Sequence, residues 1–209
     1  MSVYIPQSFA ARGEGIVRLM REYPFATLVT ATGEEPQVSH VPLLHRAEPS
    51  PQGSLIGHVA RANPHWRKFG GCSSLALFHG PHAYVSPSWY AEPAAMVPTW
   101  NYVVVHVRGR VELITDRDQT RAVVEQLTDR FESSRAQPWH LRLQGARLDA
   151  MLGAIVAFRM TIERVDAKFK LSQNRSAEDQ QRVIAALRME GFSGAEATAE
   201  WMASHAGER

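Results

Sequence analysis

The sequence predicts an α+β fold that is mainly β: an antiparallel barrel with flanking and C-terminal helices. Three observations predict it. Six or more short β-rich segments fall in the first two thirds of the 209 residues, separated by short turns. Helical patterns are inserted between these segments and appended after them. No Gly-x-Gly-x-x-Gly follows a strand, which argues against a doubly wound dinucleotide fold.

The elements follow in order. Ile16, Val17, Leu19 and Met20 place apolar groups on one face of a short helix from Gly15 to Glu22, ended by Tyr23-Pro24. Phe25 to Thr32 reads as a strand before a turn at Gly33-Glu34-Glu35-Pro36. Gln37 to His45 reads as its partner, with Pro42 arguing for an edge or a bulge. On one regular strand, the separation of His40 and His45 sets them on opposite faces. After a turn at Glu48 to Gly53, Ser54 to Ala60 is the next strand. Asn63-Pro64 then opens a short helix, because Asn caps well and Pro suits the first helical position.

Ser74 to Phe78 and Ala83 to Ser86 read as two strands joined through His79-Gly80-Pro81-His82. Trp100 to Ile114 is a long strand in which Gly109 marks a bulge or a close backbone approach. Thr115-Asp116-Arg117-Asp118 offers a capping box for a helix to about Phe131. Leu143 to Leu152 is helical, and Ile155 to Val165 alternates as a strand that Lys168 to Leu171 extends or pairs with. Ser176 to Met189 and Ser193 to His205 are the terminal helices, with capping pairs Ser176/Asp179 and Ser193/Glu196.

Composition narrows the function classes. A hydrophobic fraction of 44% supports a substantial core. With 23 basic and 21 acidic residues the formal charge is +2, which does not announce nucleic-acid binding. One cysteine, Cys72, excludes a disulfide framework or a cysteine-rich zinc site within the chain. No apolar run reaches membrane-helix length, and Met1 to Phe9 lacks the regions of a signal peptide, so a cytoplasmic protein is expected. Neither a His-Glu metalloprotease helix nor a Gly-x-Ser-x-Gly elbow occurs. The last helix carries Glu196 and Glu200 and makes a poor DNA-recognition helix.

Three stretches carry candidate chemistry. The first is Ser86-Pro87-Ser88-Trp89-Tyr90 with Val97-Pro98-Thr99-Trp100-Asn101-Tyr102. Flat aromatic faces with polar tips suit a planar ligand, and equally suit a loop anchored over a core. The second is Gly57 to Trp66, with Arg61 and Asn63 at a strand-to-helix junction. A helix start and an Arg attract phosphate, while the plain alternative is a capping Asn beside a solvated Arg. The third is Lys168-Phe169-Lys170-Leu171-Ser172-Gln173-Asn174-Arg175, which could hold an anion or simply cap the last helices.

Together these motifs bring a family into view. Tyr4-Ile5-Pro6, Phe25 to Thr30, Ser39 to Leu43, Gly57 to Pro64, Gly80 to Tyr90, Val97 to Tyr102 and Lys170 to Arg175 occur in this order. In them the chain resembles the PaiB family, FMN-binding negative transcriptional regulators of bacteria, from about Tyr4 to Leu187. The resemblance implies an FMN-binding split β-barrel over 1–172, with a C-terminal helical extension, 173–209, packed on it. It implies a homodimer with flavin at the subunit interface. It assigns cofactor binding to Ser39, His40, His58, Arg61, Asn63, Thr99, Trp100, Asn101, Lys170 and Ser172. Arg61 is the expected phosphate ligand, and Thr99, Trp100 and Asn101 are expected from the partner subunit. One departure is the link Ala91 to Met96, where relatives carry a longer, more basic segment. Regulation implies DNA as a partner, through a basic face built from Arg142, Arg147, Lys168, Lys170 and Arg175. The alternative is a flavin-dependent oxidoreductase, including flavin-reductase-like or haem-degrading activity. There the aromatic loop walls a second planar ligand, and Tyr102, His40 and His58 serve proton transfer.

Overall fold

The structure, a computed structural model, describes residues 3–206 apart from 32, 34 and 49. Thr32 at the end of the first expected strand, and Glu34 and Pro49 of the expected turns, lie outside the described residues. So do residues 1, 2 and 207–209 at the ends of the expected domains.

The chain forms two compact units. Met20–Phe78 and His106–Val165 make one, here the barrel unit. Met1–Leu19, His79–Val105 and Asp166–Arg209 make the other, the terminal unit.

In the barrel unit, β1 (Phe25–Thr30), β2 (Gln37–Pro42), β3 (Leu44–Arg46) and β4 (Ser54–Ala60) are joined by parts of three long strands. These are β5 (Ser73–Val85), β6 (Thr99–Ile114) and β7 (Ile155–Lys170). The antiparallel sheet runs β2-β1-β5-β6-β7-β4-β3. β1 pairs with β2 from Phe25↔Pro42 to Thr30↔Gln37, and β4 with β7 from Ser54↔Thr161 to Ala60↔Ile155. β2 and β3 stand at opposite edges of this order, yet only Leu43 separates them in the chain. The sheet must therefore curl until its edges meet, which makes it a barrel. Leu43 is fully buried at that corner, and its N–H donates to the carbonyl of Pro24 at 2.9 Å. Leu28, Leu55, Phe158 and Met160 fill the interior, with Phe69 tilted against Phe158 at 5.1 Å. Gly109 is the close approach that the sequence suggests: a Cβ there would lie 2.0 Å from the carbonyl oxygen of Thr161. Helices α2 (Arg117–Glu132) and α3 (Gly145–Gly153) also belong to this unit.

In the terminal unit, α4 (Ala177–Met189) and α5 (Ser193–Ala206) pack beside the remaining parts of β5, β6 and β7. Phe169 meets Trp201 edge-on at 5.4 Å, and the Arg18 guanidinium lies 4.3 Å from the Trp201 ring centroid. Arg18 sits on α1 (Glu14–Glu22), whose first turns belong here.

Three expectations need correction. The two strands expected around Gly80-Pro81 are the single strand β5. Its buried side changes from even to odd positions at Gly80 and Pro81, so the sequence break marks a change of face rather than an end. β1 pairs with β5 only from Ser74 to Leu77, so the missing N–H of Pro81 disrupts no bond to β1. The strand from Ile155, by contrast, runs on to Lys170, which is the extension that the sequence allows. His40 and His45 lie on separate strands, β2 and β3. The cap of α2 is Asp116, whose carboxylate accepts from Gln119 N–H at 2.8 Å, and not Thr115.

Candidate functional site

The expected site residues divide between the units. Ser39, His40, His58, Arg61 and Asn63 lie in the barrel unit, and Thr99, Trp100, Asn101, Lys170 and Ser172 in the terminal unit.

In the barrel unit, Asn63 caps the 3-10 turn Pro64–Lys68, its Oδ1 accepting from His65 N–H at 3.0 Å. Its Nδ2 donates to Ser39 Oγ at 2.9 Å. Ser39 Oγ also lies 2.8 Å from His65 Nδ1. On the far side of the ring, His65 Nε2 lies 2.9 Å from Thr30 Oγ1, which lies 2.7 Å from Ser74 Oγ. A neutral imidazole satisfies this row in either direction. Ser39 donates to Nδ1 while Nε2–H donates to Thr30 and Thr30 to Ser74, or Ser74 donates to Thr30 and Thr30 to Nε2 while Nδ1–H donates to Ser39. Burial agrees, since it holds the His65 pKa below its ordinary value in a side chain only 1% exposed. Ser39 and Asn63 are thus committed inside the barrel unit.

The other residues of this unit are more open. His40 is exposed, stacks on Phe25 at 6.4 Å and shares a hydrogen bond with Thr27 Oγ1 at 3.1 Å. His58 stands on β4 opposite Ala157, half-buried, with its pKa lowered by burial. Arg61 Nε donates to the carbonyl of Gly153 at 2.5 Å, and one Nη to that of Ile155 at 2.8 Å. Its other donors remain for an oxyanion. Arg61 also lines a cavity of about 570 Å³ walled by Trp66, Leu113, Leu152 and Thr115. Arg117 shares that cavity but is matched by Asp149 at 2.6 Å.

In the terminal unit, Thr99, Trp100 and Asn101 open β6 while Lys170 closes β7. Lys170 Nζ donates to Thr99 Oγ1 and to the carbonyl of Trp100, the latter at 2.7 Å. Burial, then Lys168 and Arg175, push the Lys170 pKa down. Asn101 Nδ2 donates to Ser172 Oγ at 2.9 Å, and both residues are buried. Trp100 instead stands out, half-exposed, with Tyr84 edge-on at 6.1 Å and His82 at 6.2 Å. His79, His82, Trp100 and Tyr102 border an open cleft of about 500 Å³. Within the aromatic stretch, Tyr90 is buried and Trp100 faces out.

His65, Thr30, Ser74 and Tyr90 were not among the expected site residues. The side-chain bonds that join His65, Thr30, Ser74 and Ser39 span 26 to 44 positions along the chain, so no local spacing reveals them. The one available signal was polar residues at inward positions of apolar strands, as Thr30 and Ser39 are.

Residues 3–164 match the family model described as "Putative FMN-binding domain". The protease synthase and sporulation protein PAI 2 of Bacillus subtilis (strain 168) is 35% identical over 204 residues, covering 96% of each chain. The flavocytochrome Anf3 of Azotobacter vinelandii superposes with a TM-score of 0.63 at 15% identity, covering 85% of this chain and 78% of that one. The FAD and heme binding protein of Mycobacterium smegmatis does so at 0.61 and 19% identity, covering 85% and 79%. These two structures share the fold, a split β-barrel with flanking helices.

Proposed function

This chain belongs to the FMN-binding domain family, and from that premise we propose that it is a flavin-binding negative transcriptional regulator of the PaiB type. The observation that carries this reading is the 35% identity to PAI 2 along 96% of both chains. The name of that relative ties it to protease synthesis and sporulation.

The residues present fit the cofactor. Arg61 has donors to spare for a phosphate, beside a cavity whose size suits a small ligand and whose walls are partly aromatic and apolar. The half-buried His58, kept neutral by burial, suits a polar ring edge, and His40 offers a second imidazole. Thr99 and the exposed Trp100 would reach the flavin from the partner subunit of a homodimer, while Asn101 is held inside its own unit by Ser172. Bound FMN supplies electron- and hydride-accepting chemistry at its ring. For DNA, the terminal unit offers Lys168, Lys170 and Arg175, close enough that the other two depress the Lys170 pKa. Arg142 and Arg147, in the barrel unit, complete the proposed basic set.

One observation favours an oxidoreductase as the second reading. The open cleft at His82, Trp100 and Tyr102 presents aromatic faces and titratable groups to a second planar ligand.

A single titration series separates the two. FMN is added to the purified chain until the absorbance of oxidised flavin saturates. The holoprotein is then mixed with duplex from its own promoter region, and separately with a reduced nicotinamide. A band shift that weakens steeply with salt is the expected result. No shift at low salt, with nicotinamide oxidation instead, overturns the regulator in favour of the enzyme.

A further inference from the structure

One cluster in the terminal unit is electrostatically unbalanced. Lys170 and Arg175 line a cavity of about 170 Å³. Lys170 makes the bonds already described, and among the described residues Arg175 Nη1 meets only the Met96 thioether, at 3.2 Å, with its guanidinium 5.2 Å from the Tyr90 ring centroid. A thioether is a weak acceptor. Among the described residues no carboxylate pairs with either cation. Of the acidic residues that open α4, Glu178 pairs with Arg182 at 3.0 Å, and Asp179 accepts from Ala91 N–H at 2.9 Å.

A second observation points into the same space. Tyr90 lines this cavity, is 2% exposed, and its phenolic oxygen is buried with no hydrogen-bond partner. Native proteins rarely leave such a group unpaired, and each case asks for a ligand or another cause. Ser172, on the same wall, holds φ at 64°, a conformation that a residue other than glycine seldom adopts outside special sites. The cavity lies well under the roughly 300–1,000 Å³ of a pocket for a drug-sized ligand. It has room for an anionic group and not for a flavin.

We propose that this cavity seats the oxyanion, a phosphate or carboxylate, of a second small ligand, held by Lys170, Arg175 and the Tyr90 hydroxyl. Two cations gain a counter-charge, and the phenol gains an acceptor. The seat is separate from the flavin phosphate assigned to Arg61, and it does not require that assignment.

Inorganic phosphate is the probe, titrated into the full chain with and without FMN while thermal unfolding and the phosphorus NMR linewidth are followed. Phosphate is expected to raise the unfolding temperature saturably. Lys170→Met and Arg175→Gln should each weaken the apparent affinity about ten-fold or more. Tyr90→Phe removes only an unpartnered hydroxyl. It should therefore fold with an unchanged or raised unfolding temperature in the absence of phosphate, yet bind phosphate several-fold more weakly. In the FMN-loaded chain, where the phosphate of FMN occupies Arg61, inorganic phosphate should still bind saturably. The proposal falls if wild type shows no saturable response, or if Lys170→Met and Tyr90→Phe respond as wild type does. It also falls if FMN abolishes the phosphate response and Lys170→Met weakens FMN but not riboflavin, because the seat is then the flavin's own. A chain that binds phosphate here but never FMN overturns the flavin reading and leaves this one standing.

Discussion

The His65 network and the Lys170 cluster are both polar groups set into an apolar framework, and they end in opposite states. Around His65 the donors and acceptors of Asn63, Ser39, Thr30 and Ser74 close on one another. Around Lys170 and Arg175, among the described residues, two cations pair with no carboxylate and a buried phenol has no hydrogen-bond partner. The difference separates scaffold from site. A network that satisfies itself holds strands together and has little left to offer a ligand. A cluster that does not satisfy itself retains the capacity to bind.

The largest expected effect breaks the closed network. His65→Ala leaves Ser39 and Thr30 facing a cavity and removes the ring contact with Phe69 at 5.0 Å. Ser39 keeps Asn63 and Thr30 keeps Ser74, but each loses one buried hydrogen bond and a cavity opens, so a loss of about 3 kcal/mol is expected in urea unfolding. A loss under about 1 kcal/mol would show that the network is not structural.

A smaller effect follows from acid. Burial lowers the folded pKa of both His65 and His58 below the ordinary value of about 6.5. Above that value neither state binds the proton, and histidine adds no slope. As pH falls below it, the unfolded chain takes up protons that the folded chain refuses, so stability falls with pH. The fall ends once pH passes the folded pKa. Unfolding free energies measured stepwise from pH 7.5 downwards should show this window, and His65→Gln should reduce its slope. An unchanged slope in that variant would assign the window to His58.

How much of this was legible follows from distance along the chain. The Asn63-Pro64 cap was readable because capping is local, and so were Ser176 at α4 and the close approach at Gly109. The barrel order was not, because β2 and β3 meet across the closed sheet and no periodicity encodes that. Gly80-Pro81 misled for a physical reason. The pair usually ends a strand, whereas here it exchanges the buried face of one that continues. Of the site, Arg61 and Lys170 stood out as cations in motifs. The commitment of Asn63 and Ser39 to His65, and the unpartnered hydroxyl of Tyr90, arise only when remote segments pack together.

The smallest expected effect sharpens the comparison from the open side. Lys170→Met deletes bonds to Thr99 and Trp100 but also relieves the burial of the ammonium and its repulsion by Lys168 and Arg175. These contributions oppose, so stability should stay within about 0.5 kcal/mol of wild type. Their sign can be read from ionic strength. Repulsion between like charges is screened by salt, whereas the deleted hydrogen bonds are not. The variant should therefore gain on wild type as salt is lowered from about 1 M to 0.01 M, the range over which the Debye length grows from about 3 to 30 Å. His65→Ala should show no such dependence, because no other charge is among the network's hydrogen-bond partners. If Lys170→Met instead costs as much as His65→Ala at every salt concentration, the Lys170 cluster is scaffold too, and the contrast between the two regions disappears.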